Sequence, residues 1–200
     1  MTPEVVYVAR HGETEGNVEG RWQGQLDSPL TARGRQQAHH MAALLADDPV
    51  DAIFSSPLGR AARTALVYAD LRGLPVTLVD DLAEVDHGGM AGLTPEEMDR
   101  AFPGELARRA RDKHRWRFPG GESYEDALPR AARALDVVAA SGARKPLVVA
   151  HEMIGRLLLL HLRRVDVATA LAGRHPHGVV YRVEYATGAV TALGGAGGLV

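Results

Sequence analysis

The 200-residue sequence has no cysteine, which excludes a disulfide framework and thiol chemistry. Lysine is nearly absent: Lys113 and Lys145 are the only two, so arginine carries almost all the positive charge. No sign of charge dominates either. With 23 basic and 25 acidic residues the formal net charge is −2, which gives no reason to expect nucleic-acid binding. An anion pocket, if there is one, must be local. Long apolar runs are also missing. Leu157 to Leu160 is far too short to cross a membrane. No signal-peptide layout precedes the apolar run Val5 to Ala9. These features together predict a cytoplasmic protein. A hydrophobic content of 46% suits one globular domain with a sizeable core.

Apolar β-branched runs alternate with helical patterns. Val5 to Ala9 reads as a strand buried on both faces, because polar residues do not alternate in it. Thr31 to about Ala46 reads as a helix capped by Thr31. Asp51 to Ser55 is a second strand, Arg60 to Arg72 a helix ended by Gly73 and Pro75, and Pro75 to Val79 a third strand. Thr94-Pro95-Glu96-Glu97 is a capping box. A helix is expected from about Tyr124 to Ala140, but Pro129 conflicts with a start at Ser123 unless the helix begins later or kinks. Pro146 to Ala150 is a fourth strand, followed by a helix from about Met153 to Leu162. Gly178 to Tyr185 and Ala189 to Leu193 read as a hairpin, with Gly194 to Gly198 as a flexible tail. The alternation predicts an α/β fold: a three-layer α/β/α sandwich with a mostly parallel central sheet.

In such sheets ligands sit beyond the carboxyl ends of the strands. His11 follows the first strand, Arg60 lies just past the second and His151 follows the fourth. Around His11 the chain reads Arg-His-Gly-Glu-Thr-Glu-Gly-Asn over residues 10 to 17. Gly12 lets the backbone turn sharply or approach a ligand. Arg10 supplies a planar fork suited to phosphate oxygens. Asn17 can donate an amide N–H to the same anion.

This run resembles the signature of the histidine phosphatase superfamily, which includes the phosphoglycerate mutases. The resemblance continues at Gly20-Arg21, Gly24, Asp27 and Pro29-Leu30-Thr31. It returns at Ser55 to Ala65, at Leu82-Ala83-Glu84 with Gly88 and Gly92, at Pro119 to Ser123, and at Val148 to His151. It implies a single domain over residues 1 to 200 with a small cap insertion at about 86–122, on a phosphoglycerate mutase-like fold. The implied activity is metal-independent hydrolysis of a small phosphomonoester through a phosphohistidine. His11 would be the nucleophile, and Arg10, Asn17, Arg60 and His151 would bind the phosphate, with His151 protonated beside the dianion. Glu84 would be the general acid. Because a free glutamate has a pKa of about 4.3, burial would have to raise it for that work. Gln23 and Gly24 are further candidates for touching substrate. No cofactor or metal is implied. The expected partner is a small phosphorylated metabolite, with neither nucleic acid nor membrane, and a homodimer stays open.

The chain departs from the family at two places. Glu152 stands after the second histidine, where glycine is usual; its carboxylate is uncomfortable near a phosphate unless it points away. Val85 stands where the mutases carry arginine, which favours a phosphatase over a mutase. A third reading is a weakly catalytic module that binds a phosphorylated ligand. The basic segment Arg108 to Arg117 reads first as a solvated helix face; otherwise one or two of its arginines touch the substrate's distal anion. His39-His40 and His175-Pro176-His177 lack the companions of a metal site and read as surface features.

Overall fold

Alternate residues of the strand Val5 to Ala9 enter opposite cores. Val6 and Val8 pack with Phe54, Val148, Ile154 and Leu157, while Val5, Tyr7 and Ala9 pack with Ile53, Leu147 and Val149. Both faces of the sheet are therefore covered, which explains the missing polar alternation. Each fully buried aliphatic side chain contributes about 1.5–3 kcal/mol. The computed structural model describes residues 2–194. Its six strands are β1 (Val5–Arg10), β2 (Ala52–Ser55), β3 (Val76–Leu78), β4 (Pro146–Ala150), β5 (Val180–Glu184) and β6 (Val190–Leu193), in the order β3-β2-β4-β1-β5-β6. The first four in that order pair in parallel; β5 runs antiparallel to both β1 and β6. The sheet is thus mixed, with the predicted hairpin as its antiparallel edge.

Helices α2 (Ala32–Leu44) and α3 (Gly59–Arg72) cover one face through Ala38, Met41, Ala61, Ala65 and Tyr68. Helices α6 (Tyr124–Ala140) and α7 (Glu152–Arg163) cover the other through Ala127, Ala131, Ala134, Ile154 and Leu157. The shorter helices α1 (Glu15–Val18), α4 (Pro95–Ala101), α5 (Glu105–Arg111) and α8 (Val167–Ala172) complete the chain. Thr31 caps α2 and Thr94 caps α4, as their spacing predicts. Pro129 does not delay α6, which starts at Tyr124 behind a Ser123–Asp126 capping box and runs through the proline. The proline removes only the N–H that would reach Glu125, and both residues face solvent, where water can serve the freed carbonyl. Among the described residues, no helix is long and apolar enough to cross a membrane. The glycine-rich tail predicted from Gly194 lies, beyond Gly194 itself, outside the described residues.

Candidate active site

His11 and His151 leave adjacent parallel strands side by side: Arg10 is in register with Ala150, and the His11 N–H donates to the Ala150 carbonyl at 3.0 Å. Their rings lie 5.1 Å apart. Arg60, the second residue of α3, arrives from the end of neighbouring β2. The sheet alone thus brings together three residues more than 45 positions apart, at the carboxyl ends of their strands.

His11 is 3% exposed. Its Nδ1 stands 2.7 Å from the Gly12 carbonyl, which can only accept, so Nδ1 carries the proton and Nε2 the lone pair. Burial, followed by the nearness of His151, Arg10, Arg60 and His177, pushes its pKa well below the ordinary histidine value. The ring is therefore neutral at physiological pH. Gly12 is required here by space: a Cβ would fall 2.2 Å from the Gly34 carbonyl oxygen.

Arg60 is 2% exposed rather than a solvated first-turn arginine. Its Nη1 and Nη2 each donate at 2.7 Å, to the carbonyls of Leu26 and Gly24, and its Nε reaches His11 Nε2 at 3.3 Å. Gly24, a predicted substrate contact, thus holds Arg60 through its carbonyl and also lines the cavity. Gln23 lines the cavity with its Nε2 bonded to Thr14 Oγ1 at 2.6 Å. Asn17 caps the same turn through its Oδ1, which accepts from the Thr14 N–H, and also stands in the cavity wall.

His151 is fully buried behind His11, with Nε2 2.8 Å from Ser56 Oγ and Nδ1 without a partner. Burial, then Arg60 and Arg10, holds its pKa well below the ordinary value, so the protonated form expected of it is disfavoured in this environment. A proton there has to be brought in with the charge of a phosphate dianion. Glu84 is 6% exposed at the cavity wall. Its carboxylate accepts three backbone N–H groups, from Val85 (2.9 Å), Ile154 (2.9 Å) and Met153 (3.1 Å), the last two at the N-terminus of α7.

Arg10, His11, Asn17, Arg60 and Glu84 share one cavity of about 370 Å³. Its far wall is cationic. Arg109 lies over the Trp22 ring at 4.8 Å, and Arg156 reaches Tyr124 Oη at 3.3 Å. Lys113 completes this wall; burial, then Arg156 and Arg109, pulls its pKa down to about 8. The basic segment is therefore split: Arg109 and Lys113 line the cavity, while Arg108, Arg111, Arg115 and Arg117 are exposed as a solvated face should be. Glu152 does not point away. Its carboxylate meets Arg10 Nη1 at 2.8 Å and also pairs with Arg156 Nη2.

The His175–His177 turn is not a surface feature. His175 is fully buried, and its carbonyl accepts from Arg10 Nη1 at 3.3 Å. His177 donates Nδ1–H to the His11 carbonyl at 2.6 Å, with ring centres 5.2 Å apart. The fold turns the chain back after α8 onto β1, and no local pattern in His-Pro-His records that. His39 and His40 are exposed, as read. Among the described residues no group of three or more His, Asp or Glu side chains is placed to hold a metal.

The model of the histidine phosphatase superfamily (branch 1) matches residues 6–194, and the chain belongs to that family. It is a phosphatase of small phosphate esters. It is 35% identical over 162 residues to phosphoserine phosphatase 1 of Hydrogenobacter thermophilus, covering 80% of this chain and 77% of that protein. It is 34% identical over 163 residues to 6-phosphofructo-2-kinase/fructose-2,6-bisphosphatase 1 of Mus musculus, covering 80% of this chain and 33% of that longer protein. The structure of mycobacterial glucosyl-3-phosphoglycerate phosphatase superposes with a TM-score of 0.81 at 33% identity, over 90% of each chain.

Proposed function

We propose that the protein hydrolyses a small phosphorylated metabolite in two steps, with His11 carrying the phosphoryl group between them. The observation that carries this reading is the state of His11: neutral, anchored at Nδ1, with the Nε2 lone pair turned toward a guanidinium in a cationic cavity. Phosphoryl transfer needs an in-line nucleophile and charge stabilisation on the equatorial oxygens. Nε2 attacks phosphorus, the ester P–O bond breaks, and the leaving oxygen takes a proton from Glu84. Water then attacks the phosphohistidine, loses its proton to Glu84, and phosphate departs with His11 neutral again. Arg10, Arg60 and Asn17 serve the oxygens, and His151 joins them when protonated. The Glu84 carboxylate accepts two backbone N–H groups on Oε1 and one on Oε2, which leaves a lone pair of Oε2 without a donor.

The segment 86–122 acts as a cap in this reading. Its Arg109 and Lys113, with Tyr124 and Arg156, suit a substrate bearing a second anionic group away from the phosphorus. The relatives' names carry different phosphate esters, which suits a site whose phosphoryl end and far wall serve different parts of a substrate. Val85 is fully buried in the core and offers no cation where a mutase has arginine, which supports hydrolysis over mutase chemistry. A cytoplasmic location belongs to the same proposal.

Rapid acid quench during turnover of labelled substrate tests the intermediate. An acid-labile, base-stable adduct on His11 is expected; label on another residue alone, or full activity in His11→Ala, refutes the route.

A further inference from the structure

We propose that Glu152 determines specificity as a carboxylate built into the anion site, one that must yield Arg10 when a phosphate ester binds. The inference rests on the phosphatase reading above, because it concerns the same cavity.

Glu152 opens α7 directly after His151. One oxygen sits 2.8 Å from Arg10 Nη1 and the other on Arg156 Nη2, so a single carboxylate joins the phosphoryl end of the cavity to its far wall. The two guanidinium groups are well buried, with side chains 14% and 10% exposed, whereas Glu152 is 34% exposed. The carboxylate is the partner with more access to solvent. Arg10 and Arg156 each also keep a buried Nε–H with no acceptor, so Glu152 does not use up their donors. Glu84, the other carboxylate in the wall, is occupied by backbone N–H groups of α7 and its own loop. Glu152 is therefore the acid that offsets Arg10 and Arg156 directly, while Arg60 is paired with Asp27.

A phosphate oxygen approaching Arg10 meets that carboxylate first. Binding has to displace Glu152 or bear its repulsion, so affinity is lower than the number of cations implies. A second anionic group finds Arg109 and Lys113 without a Glu152 contact, but to reach Arg156 it has to displace the same carboxylate. Esters that carry a hydroxyl or ammonium group able to donate to Glu152 escape much of that repulsion. Glu152 thus sorts phosphomonoesters by what they bear beside the phosphate.

The experiment measures inorganic phosphate binding to the full chain by calorimetry, for the wild type and Glu152→Gln, alongside kcat and KM for p-nitrophenyl phosphate. The variant should bind phosphate about tenfold more tightly. KM should fall with it, without a rise in kcat. Unchanged or weaker phosphate binding, with the circular dichroism spectrum and melting temperature preserved, overturns the proposal and makes Glu152 a support for Arg10. If Glu152→Gln does not fold, Glu152→Gly is read by the same criterion. Calorimetry needs no turnover, so the two ideas fail separately: tighter phosphate binding with no ester hydrolysis in either protein sinks the proposed function and leaves this inference standing. No phosphate binding in either protein overturns this inference.

Discussion

Arg60 donates its Nε–H to Nε2 of His11 across 3.3 Å, so the nitrogen proposed to attack phosphorus is held as an acceptor by the guanidinium proposed to stabilise the phosphoryl oxygens. The same guanidinium is fixed by the carbonyls of Leu26 and Gly24, and its backbone N–H donates to Asp27 Oδ1. Each side-chain nitrogen has one N–H committed, which fixes the fork and leaves the second N–H of Nη1 and of Nη2 to meet an anion.

Arg60→Lys keeps the charge but cannot reproduce that geometry. It should lower kcat by about 10²- to 10³-fold, the usual effect of losing a charge-stabilising donor. Steady-state kinetics with p-nitrophenyl phosphate decide the matter; a lysine variant within a few-fold of wild type would show that charge alone suffices.

Gly12→Ala places a methyl 2.2 Å from the Gly34 carbonyl oxygen, a backbone atom that cannot swing aside. Overpacking of this kind costs about 1–3 kcal/mol. The strain falls next to His11, so activity should drop further than stability explains. Urea denaturation together with kcat checks both; an unchanged midpoint would mean that the loop after β1 and the first turn of α2 separate freely.

The strand pattern and the strand-end residues His11, Arg60 and His151 were legible because each depends on local sequence and on the common geometry of parallel sheets. Arg156 left a signal too, as the one charge between Met153 and Leu160, in a helix whose other positions there are apolar or glycine. His177 left none: its bond to the His11 carbonyl spans 166 positions, and only the path of the chain after α8 creates it. Arg109 and Lys113 differ from their basic neighbours only in facing the cavity, and composition cannot report facing. Pro129 conflicts with a helix on local grounds alone, and its exposure, which makes it tolerable, is a tertiary fact.

The buried histidines make stability depend on pH. His175 is held down to about 3 and His177 to about 4, chiefly by burial, with Arg10 opposing protonation of both. A histidine depressed on folding binds protons more readily when unfolded. Its contribution is therefore complete above about 6.5 and is lost as pH falls toward the folded value. For the fully buried His175 the slope approaches about 1.4 kcal/mol per pH unit below 6. Denaturation midpoints should be level from pH 8 to 7 and decline from 6 to 4.5. A level midpoint down to pH 5 would rule this out.

Glu84 is tested by how badly the leaving group needs a proton. An alkoxide is a strong base and leaves poorly without one; a nitrophenolate leaves almost unaided. Glu84→Gln removes proton transfer, whose usual worth is about 10²- to 10⁴-fold. The substitution is not silent structurally, because the carboxylate accepts from Val85, Met153 and Ile154, and an amide nitrogen turned toward any of these N–H groups replaces an acceptor with a donor. Absolute rates will fall for that reason alone. Comparing two substrates on the same variant cancels the structural loss, since both meet the same altered wall. Single-turnover phosphorylation of His11 is the step to follow, because in the proposed route the later attack by water also draws on Glu84 as base and would hide the difference at steady state. The loss on an alkyl phosphate should exceed the loss on p-nitrophenyl phosphate by about 10²-fold or more. Equal losses would mean that Glu84 fastens the start of α7 to the cavity wall and moves no proton, and Asp86, two residues along the same loop, would be the next carboxylate to substitute.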